Sequence, residues 1–199
     1  MSNIQFNEDG TIKLKMCRLS YPHLFAPWAQ NEGDEKKYSG RFLVARSTHA
    51  AEIKQLQQHI LEKMKEYFDA RIPLDKLCFR DGDQTAKPED VGNWYLSASE
   101  KTRPYVIAKD GRTPLIESDD IIYAGCYVNV LFKLWKQQHP KYGKRINANL
   151  LAVQFVKDGE RFGAPRPNVD EHFDDESDGE PSKGGKQRGD GFDDDDISF

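Results

Sequence analysis

Alternation of apolar and polar side chains marks the first predicted strand. From Ile12 to Met16 every second residue is large and apolar, and the positions between them are lysines. A period of two is typical of a strand with one face in the core and the other in water. Residues 11–19 are therefore predicted to form a strand whose outer face carries Lys13 and Lys15.

The next segment lacks this regularity. Residues 20–38 hold two prolines and a run of polar residues, which together predict a loop. This loop would carry three aromatic side chains, Tyr21, Phe25 and Trp28, which are large for a segment without a core to pack against. Residues 41–45, an arginine followed by Phe, Leu, Val and Ala, predict a short buried strand.

One segment has the periodicity of a helix. Within residues 48–70, apolar side chains recur at spacings of three and four, and Gln, Lys and Glu fill the other face. Thr48 is the predicted N-cap, Glu52 suits the first turn, and Pro73 lies just beyond the end. The apolar stripe is predicted to pack against the core. It consists of Ile53, Leu56, Ile60, Leu61, Met64 and Phe68.

Strand-like segments fill the rest of the body. Each is rich in Val, Ile, Tyr, Phe or Trp and is bounded by turn residues. In the longest of them, Gly125 is the predicted site of a bulge or a sharp bend. Five or more strands with one main helix predict a mainly β fold, a small closed antiparallel barrel of the OB-fold kind. The segments are 93–99, 104–108, 121–136 and 146–156.

Charge divides the chain into a basic body and an acidic tail. Residues 168–199 contain twelve acidic and three basic residues, a net charge of −9, and the remaining 26 Lys and Arg against 21 Asp and Glu give the body +5. We predict a folded domain over 1–165 and a disordered acidic tail over 166–199, because the tail is rich in Gly, Ser, Pro and charge. The asymmetry indicates nucleic acid or another polyanion as the partner. A tail that only aids solubility is the alternative.

The sequence lacks the motifs of enzymes, metal sites and membrane proteins. It has no P-loop, no HExxH and no GxSxG. The acidic loop at residues 81–92 has Ala86 and Gly92 where a calcium loop needs a glycine and a glutamate. Three widely spaced cysteines form no CxxC pair, and no apolar run approaches the ~20 residues of a membrane span. We therefore predict a soluble cytoplasmic protein that is no enzyme and uses no cofactor and no metal.

Basic and aromatic residues are interleaved between two predicted strands at residues 133–145. Single-stranded nucleic acids bind such surfaces because bases stack on rings, at ~1–3 kcal/mol each, while cations meet the phosphates. A hairpin beside an OB-like barrel is a usual place for a DNA-binding finger. In the alternative interpretation, the rings pack inward and the lysines form a solvated rim. The candidate contacts are Lys133, Trp135, Lys136, Lys141, Tyr142, Lys144 and Arg145.

A second mixture of rings and cations lies at residues 94–105. Alternation along a strand sends either Trp94 or Tyr95 into the core, so only one of the pair can face DNA, and the pattern does not decide which. The candidates from this segment are Tyr95, Arg103 and Tyr105, and they join Lys13 and Lys15 of the first strand.

The end of the sequence, FDDDDISF, joins an acidic run to apolar side chains. Large apolar residues are unusual in a tail that has no core to bury them. We interpret this end as a short peptide that fits a partner's pocket, with the last Phe in an apolar cleft and the carboxylates at a basic rim. The alternative is an accidental ending of an acidic tail. The predicted tip comprises Asp193, Asp194, Asp195, Asp196, Ile197, Ser198 and Phe199.

Two stretches resemble known single-stranded DNA-binding proteins. The ending DDDDISF is similar to the acidic tips of bacterial and phage replication proteins of this class, and ANLLAVQFVKDGERFG at 148–163 resembles a phage-encoded family. The resemblance implies an OB-fold that coats single-stranded DNA, without sequence preference, during phage replication or recombination. It also implies that the tail recruits replication or recombination proteins and occupies the DNA groove when DNA is absent.

The resemblance assigns no individual DNA contact, so the candidate residues above rest on the sequence pattern. Coating leaves open either a homo-oligomer or a cooperative array on DNA. An RNA-binding OB module, such as an RNA chaperone, is the main alternative, because the two classes differ in contacts to the 2′-OH that sequence does not show. A DNA mimic acting through its acidic end fits poorly with the basic body.

Overall fold

The computed structural model describes residues 2–140 and 143–163. The predicted tail and its boundary with the domain lie outside these residues. Within them the chain forms one eight-stranded sheet and one α-helix, so the prediction of a mainly β fold with one main helix is confirmed. The elements are β1 (Ile4–Phe6), β2 (Thr11–Trp28), β3 (Lys37–Ala45), α1 (Ala50–Phe68), β4 (Phe79–Asp81), β5 (Asn93–Glu100), β6 (Tyr105–Ile107), β7 (Tyr127–His139) and β8 (Gly143–Lys157).

The sheet curls until the segment just before β4 touches β8, but it does not close into a barrel. The strand order is β4-β5-β3-β2-β7-β8-β6, with β1 added to β2, and every pair is antiparallel except β6 with β8. Between β4 and β8 there is only an isolated bridge, where the Cys78 amide donates to the Ile146 carbonyl at 2.9 Å. The predicted closed barrel is corrected, because β4 has only three residues and no ladder joins it to β8. We call this junction the seam.

One apolar cluster lies between the sheet and the helix. The helix contributes Ile53, Leu56, Ile60 and Met64, all of them buried. The predicted stripe is thus largely confirmed, although Leu61 is 42% exposed. No helix in the described part of the chain is both long enough and apolar enough to cross a membrane.

The helix begins one position later than the pattern predicts. His49, not Thr48, is the N-cap residue, and its side chain makes no cap bond. The His49 ring instead hydrogen-bonds the Lys15 carbonyl (Nε2 to O, 3.2 Å), and the Glu52 carboxylate accepts from the Asn3 amide at 3.0 Å. These bonds tie the start of the helix to the first two strands, and such tertiary contacts override a local capping preference.

Strand β2 is longer than predicted and takes in the first half of the predicted loop. The strand is bulged at Met16 (φ 57°) and at Tyr21 (φ 50°). A bulge adds an unpaired residue and shifts the alternation. Cys17 is consequently fully buried, where the sequence pattern placed Met16 in the core. Beyond the second bulge the strand continues to Trp28, which still pairs with β3.

The β7–β8 hairpin is the longest ladder of the sheet, and it closes with His139 opposite Gly143. Strand β7 begins at Tyr127, later than predicted, because the chain turns just before it. At this turn Gly125 has φ 110°, and a Cβ there would lie 2.0 Å from the Glu160 carbonyl oxygen. The predicted sharp bend at Gly125 is therefore confirmed, and only glycine fits it.

Candidate nucleic-acid interface

A groove of about 560 Å³ lies along the seam. Residues of β2, β3, β4, β5 and β8 line it, together with residues from the segments on either side of β4, and we call it the seam groove. Its aromatic side chains are Tyr21, His23 and Trp28, and its cations are Arg41, Lys76, Arg80, Lys87 and Arg145.

The second half of β2 supplies all three rings. The imidazole of His23 stacks on the indole of Trp28, with centroids 4.7 Å apart and planes 8° from parallel. Trp28 is 49% exposed and Tyr21 is 44% exposed. Trp28 therefore offers surface to an unpaired base, which stacks on an aromatic face whatever its identity. The ring of Tyr21 is instead covered in part by Lys87 and Arg41, at 3.7 and 5.4 Å from its centroid.

The groove contains one histidine and one cysteine. Burial lowers the pKa of His23 below its ordinary value, so at neutral pH the imidazole is an uncharged aromatic surface. Burial raises the pKa of the Cys78 thiol to about 12, so it stays protonated and unreactive. Within residues 2–140 and 143–163, no group of three or more His, Cys, Asp or Glu side chains is placed to hold a metal ion.

Two of the five groove cations are paired with carboxylates. Arg41 forms a salt bridge with Asp90, whose side chain is fully buried. The Nζ of Lys76 lies 3.4 Å from a carboxylate oxygen of Asp75. Because its partner is buried, Arg41 is held firmly, whereas the exposed lysine pair is easily exchanged for another anion.

The other three cations, Arg80, Lys87 and Arg145, form no salt bridge with any residue that the structure describes. The Nε atoms of Arg80 and Arg145 are in addition buried without a hydrogen-bond partner there. A guanidinium presents its donors in a planar fork that matches the oxygens of a phosphate. These side chains therefore carry unused capacity to bind an anion.

Small side chains lie between the rings and the cations. Residues 97–99 of β5, two serines and an alanine, run opposite Ser39, Gly40 and Arg41 of β3. A Cβ at Gly40 would lie 3.0 Å from the ring of Phe42, so the packing beneath keeps this position small. The groove can therefore accept a polymer backbone close to the sheet.

The predicted hairpin residues are divided between two surfaces. Arg145 lines the seam groove, and Trp135, which is 37% exposed, lies beside it because it pairs with Asn147, another groove residue. Lys136 and Lys144 instead lie over two aromatic rings at the end of α1, at 5.7 and 5.4 Å from the ring centroids. The structure thus brings Arg145 to the groove and Trp135 beside it, and it directs Lys136 and Lys144 away from it.

Of the remaining hairpin candidates, only Lys133 has a described position, and it lies away from the groove. The Nζ of Lys133 donates to the Asp9 carbonyl at 2.8 Å, so this lysine holds the turn before β2. Lys141 and Tyr142 lie outside the described residues.

The structure corrects the prediction that Tyr95 stacks on DNA. The residue is only 4% exposed. The guanidinium carbons of Arg41 and Arg80 lie 4.3 and 5.2 Å from its ring centroid. Alternation along β5 packs Trp94 against the apolar core and places Tyr95 on the groove face, opposite Arg80. There the two guanidinium groups cover the ring, so almost none of its surface is left for a base.

The other predicted contacts lie away from the seam groove. Lys13 and Lys15 are half-buried in the first part of β2. Arg103 lies over the ring of Phe25, 5.4 Å from its centroid, and Tyr105 is 79% exposed on β6. None of these four predicted residues lines the groove, and as DNA contacts they stay predictions.

Sequence reasoning missed most of the groove. Tyr21 and Trp28 stand out in the sequence only as large rings in an apparent loop, because prolines and the bulge hide the strand. Arg80 and Lys87 lie in a polar, turn-rich stretch where no periodicity marks them. Arg41 reads as the start of a buried strand. The signal that could have found the first two is their size, since large rings need a surface to pack on or a ligand to stack against.

The sequence of this chain matches a known protein family and a known phage protein. The family model of the Enterobacter phage Enc34 ssDNA-binding protein matches residues 10–183. Protein p50 of Acyrthosiphon pisum secondary endosymbiont phage 1 is 36% identical over 173 residues, which cover 82% of this chain and 92% of p50. The matching family is one of single-stranded DNA-binding proteins.

Solved structures of phage single-stranded DNA-binding proteins share the fold of this chain. The single-stranded DNA-binding protein from bacteriophage Enc34, in complex with ssDNA, matches with a TM-score of 0.74 and 39% identity, over 82% of this chain and 95% of that one. The fold is shared with gp2.5, a single-stranded DNA-binding protein encoded by bacteriophage T7, at a TM-score of 0.50 and 12% identity, over 84% of this chain and 96% of that one. The resemblance to a phage-encoded family is thus confirmed. This chain belongs to the family of the Enterobacter phage Enc34 ssDNA-binding protein.

Proposed function

We propose that this protein binds single-stranded DNA in the seam groove and coats it during phage replication or recombination in the host cytoplasm. The observation that carries the proposal is the convergence of the stacked His23–Trp28 pair with three cations that form no salt bridge in the described part of the chain. The Enc34 relative, solved with ssDNA, supports the proposal, because this chain covers 95% of it at 39% identity.

The chemistry of the groove favours unpaired strands of any sequence. Bases stack on exposed rings such as Trp28, while Arg80, Lys87 and Arg145 meet the phosphates. In a duplex the base faces are hidden in the stack, so a duplex would meet only the cations. Every base has a π-face, so stacking does not select among bases. The protein would therefore distinguish single strands from duplexes but would not select among base sequences.

The acidic tail has two proposed roles. Residues 168–199 carry a net charge of −9, and tethering gives such a polyanion an effective concentration in the millimolar range. We propose that the tail competes with DNA for the groove cations. The tip at residues 193–199 is proposed to bind replication or recombination proteins, with Phe199 as the anchor, because one buried aromatic can carry much of a short peptide's binding energy. This part of the proposal rests on the sequence.

A titration by fluorescence anisotropy tests the proposal. Single-stranded DNA, duplex DNA and single-stranded RNA of equal length are compared at two salt concentrations, with Trp28→Ala and, as an exposed ring outside the groove, Phe6→Ala. Single-stranded DNA is expected to bind far more tightly than duplex, and Trp28→Ala is expected to weaken this binding while Phe6→Ala does not. Equal affinity for duplex would contradict the proposal. Tighter binding of RNA would favour the RNA-binding alternative.

A further inference from the structure

Five side chains, cations alternating with phenol rings, contact one another in a row across the sheet. The Nζ of Lys87 lies 3.7 Å from the Tyr21 ring centroid. The guanidinium carbon of Arg41 lies 5.4 Å from that centroid and 4.3 Å from the centroid of Tyr95, and the guanidinium carbon of Arg80 lies 5.2 Å from Tyr95. Four of the five line the seam groove, and the fifth, Tyr95, is buried. We call this row the cation–ring ladder.

Strand register builds the ladder. Tyr21, Arg41, Tyr95 and Arg80 belong to β2, β3, β5 and β4, which are neighbours in that order. Arg80 lies directly opposite Tyr95, and residues opposite each other on paired strands share a face. Tyr21 joins through its bulge, which re-aims a side chain at the cost of a φ of 50°. A positive φ is unfavourable for a bulky residue, and such strain is found where a position serves function.

One short turn, Pro88–Asp90, holds the ladder from outside the row. Asp90 is fully buried and pairs with Arg41, and Glu89 accepts the Tyr21 hydroxyl at 2.7 Å. The second and the middle member of the row are therefore held by neighbouring residues of the same turn. Arg41 thus stands at a set position on the groove wall before any ligand binds.

We infer that Tyr95, although DNA does not touch it, is a positioning residue for DNA binding: its ring orients Arg41 and Arg80 toward the phosphates. The inference rests on the proposed function, because it takes the seam groove as the place where phosphates bind. An unrestrained arginine loses rotamer freedom when it binds a phosphate, whereas one held over a ring has lost much of it already. Stacking on an aromatic face suits the planar guanidinium and restrains it without using up its donors.

The test compares Tyr95→Leu, which removes the ring and keeps an apolar side chain, with Tyr95→Phe, which keeps the ring. Thermal unfolding shows that each variant is folded, and anisotropy titrations over a salt series give single-stranded DNA affinity and its salt dependence. Tyr95→Leu is expected to bind about tenfold more weakly, with the salt slope reduced by about 1 because phosphate contacts are lost. Tyr95→Phe is expected to restore both. A Tyr95→Leu protein that binds with unchanged affinity and slope would overturn the inference.

Arginine-to-lysine changes test the ladder even if Tyr95→Leu does not fold. Arg80→Lys keeps the charge but loses the planar group over the ring, whereas Arg145 lies over no ring in the described part of the chain. The loss of affinity for Arg80→Lys is expected to exceed that for Arg145→Lys about threefold or more. Equal losses would overturn the inference.

Trp28→Ala and Arg145→Ala in the same titration separate this inference from the proposed function. If both weaken binding and Tyr95→Leu does not, the groove binds DNA and the ladder has no positioning role. If neither weakens binding, the groove proposal fails, and the inference fails with it.

Discussion

The seam groove and the β7–β8 hairpin both combine rings with cations, but only the groove gathers them on one surface. In the described part of the hairpin, Trp135 and Arg145 lie on the groove side, whereas Lys136 and Lys144 lie over rings at the end of α1. Lys133 is engaged with the turn before β2. The groove instead collects its cations from several strands and turns, few of them close in sequence.

The difference follows from the geometry of strands. Neighbours along a strand point to opposite faces, while residues opposite each other on paired strands share a face. A dense run of rings and cations in the sequence is therefore split by the pleat. Residues far apart in sequence, such as Tyr21 and Arg80, can meanwhile converge on one wall. A binding surface on a sheet is thus sought across the strands and not along them.

The two regions differ most in how their cations are anchored. Asp90 is fully buried and pairs with Arg41, whereas Lys133 bonds the exposed Asp9 carbonyl. Removing one partner of a buried ion pair leaves the other charge uncompensated, so Asp90→Ala is expected to lower the free energy of unfolding by ~3–5 kcal/mol. Lys133→Ala is expected to change it by no more than ~0.5 kcal/mol. Urea unfolding measures both, and equally small losses would show that the buried pair does not anchor the groove.

Arg145 and Lys144 are adjacent in sequence but lie on different surfaces. Changing each of them therefore distinguishes DNA binding in the groove from DNA binding along the hairpin. Arg145→Ala is expected to weaken single-stranded DNA binding by ~1.4 kcal/mol, about tenfold, and to reduce the salt slope by about 1. Lys144→Ala, whose lysine lies over a ring at the end of α1, is expected to change affinity by less than about twofold. Anisotropy titrations over a salt series measure both. Equal losses would mean that the hairpin binds DNA as a finger, as the sequence predicted.

Deleting residues 168–199 tests whether the tail competes with DNA for the seam groove or for the hairpin. If the tail occupies the groove, its removal is expected to tighten single-stranded DNA binding several-fold at low salt and less at high salt, where charge attraction is screened. The gain should shrink when Arg80 and Arg145 are both changed to Ala, but not when Lys136 and Lys144 are. Titration of the six proteins formed by combining these changes gives the answer. A truncated chain that binds no better at any salt concentration excludes self-inhibition.

The smallest expected effect is that of pH on the groove. Burial keeps the pKa of His23 low, so its charge appears only as the pH falls below about 6.5. The folded state then binds fewer protons than the unfolded state, and stability from this group is lost as the pH falls. DNA affinity should move the other way, because protonated His23 adds a cation beside the phosphates. Between about pH 7.5 and 5.5 the wild type is expected to gain more affinity than His23→Phe. Equal gains in titrations would contradict this.

Much of the fold could be predicted because its elements have regular periods. The helix over Ala50–Phe68 and the hairpin strands follow from the spacing of apolar residues, and Gly125 marks the sharp bend before β7. The extension of β2 to Trp28 could not be predicted, since its prolines are typical of loops and its bulge at Tyr21 breaks the alternation. The predicted closure of the barrel was wrong. Closure depends on the length of β4, and no local pattern in the sequence sets that length.

The candidate site was predicted in kind but only in part by residue. The sequence pattern of interleaved rings and cations is also the composition of the seam groove, and Arg145 and Trp135 lie at the groove or beside it. Arg41, Arg80 and Lys87 could not be found, because their convergence depends on the register between strands and turns far apart in sequence.

The central claim is that an unpaired base stacks in the seam groove, and the fluorescence of Trp28 tests it most directly. The chain has three tryptophans, so changing Trp94 and Trp135 to Phe leaves Trp28 as the sole reporter. Its emission is followed while single-stranded or duplex DNA is added, and anisotropy of labelled DNA records binding in parallel. The account predicts that single-stranded DNA quenches Trp28 with the same midpoint as binding, and that duplex leaves it largely unquenched. Binding of single-stranded DNA with unchanged Trp28 emission would contradict the account.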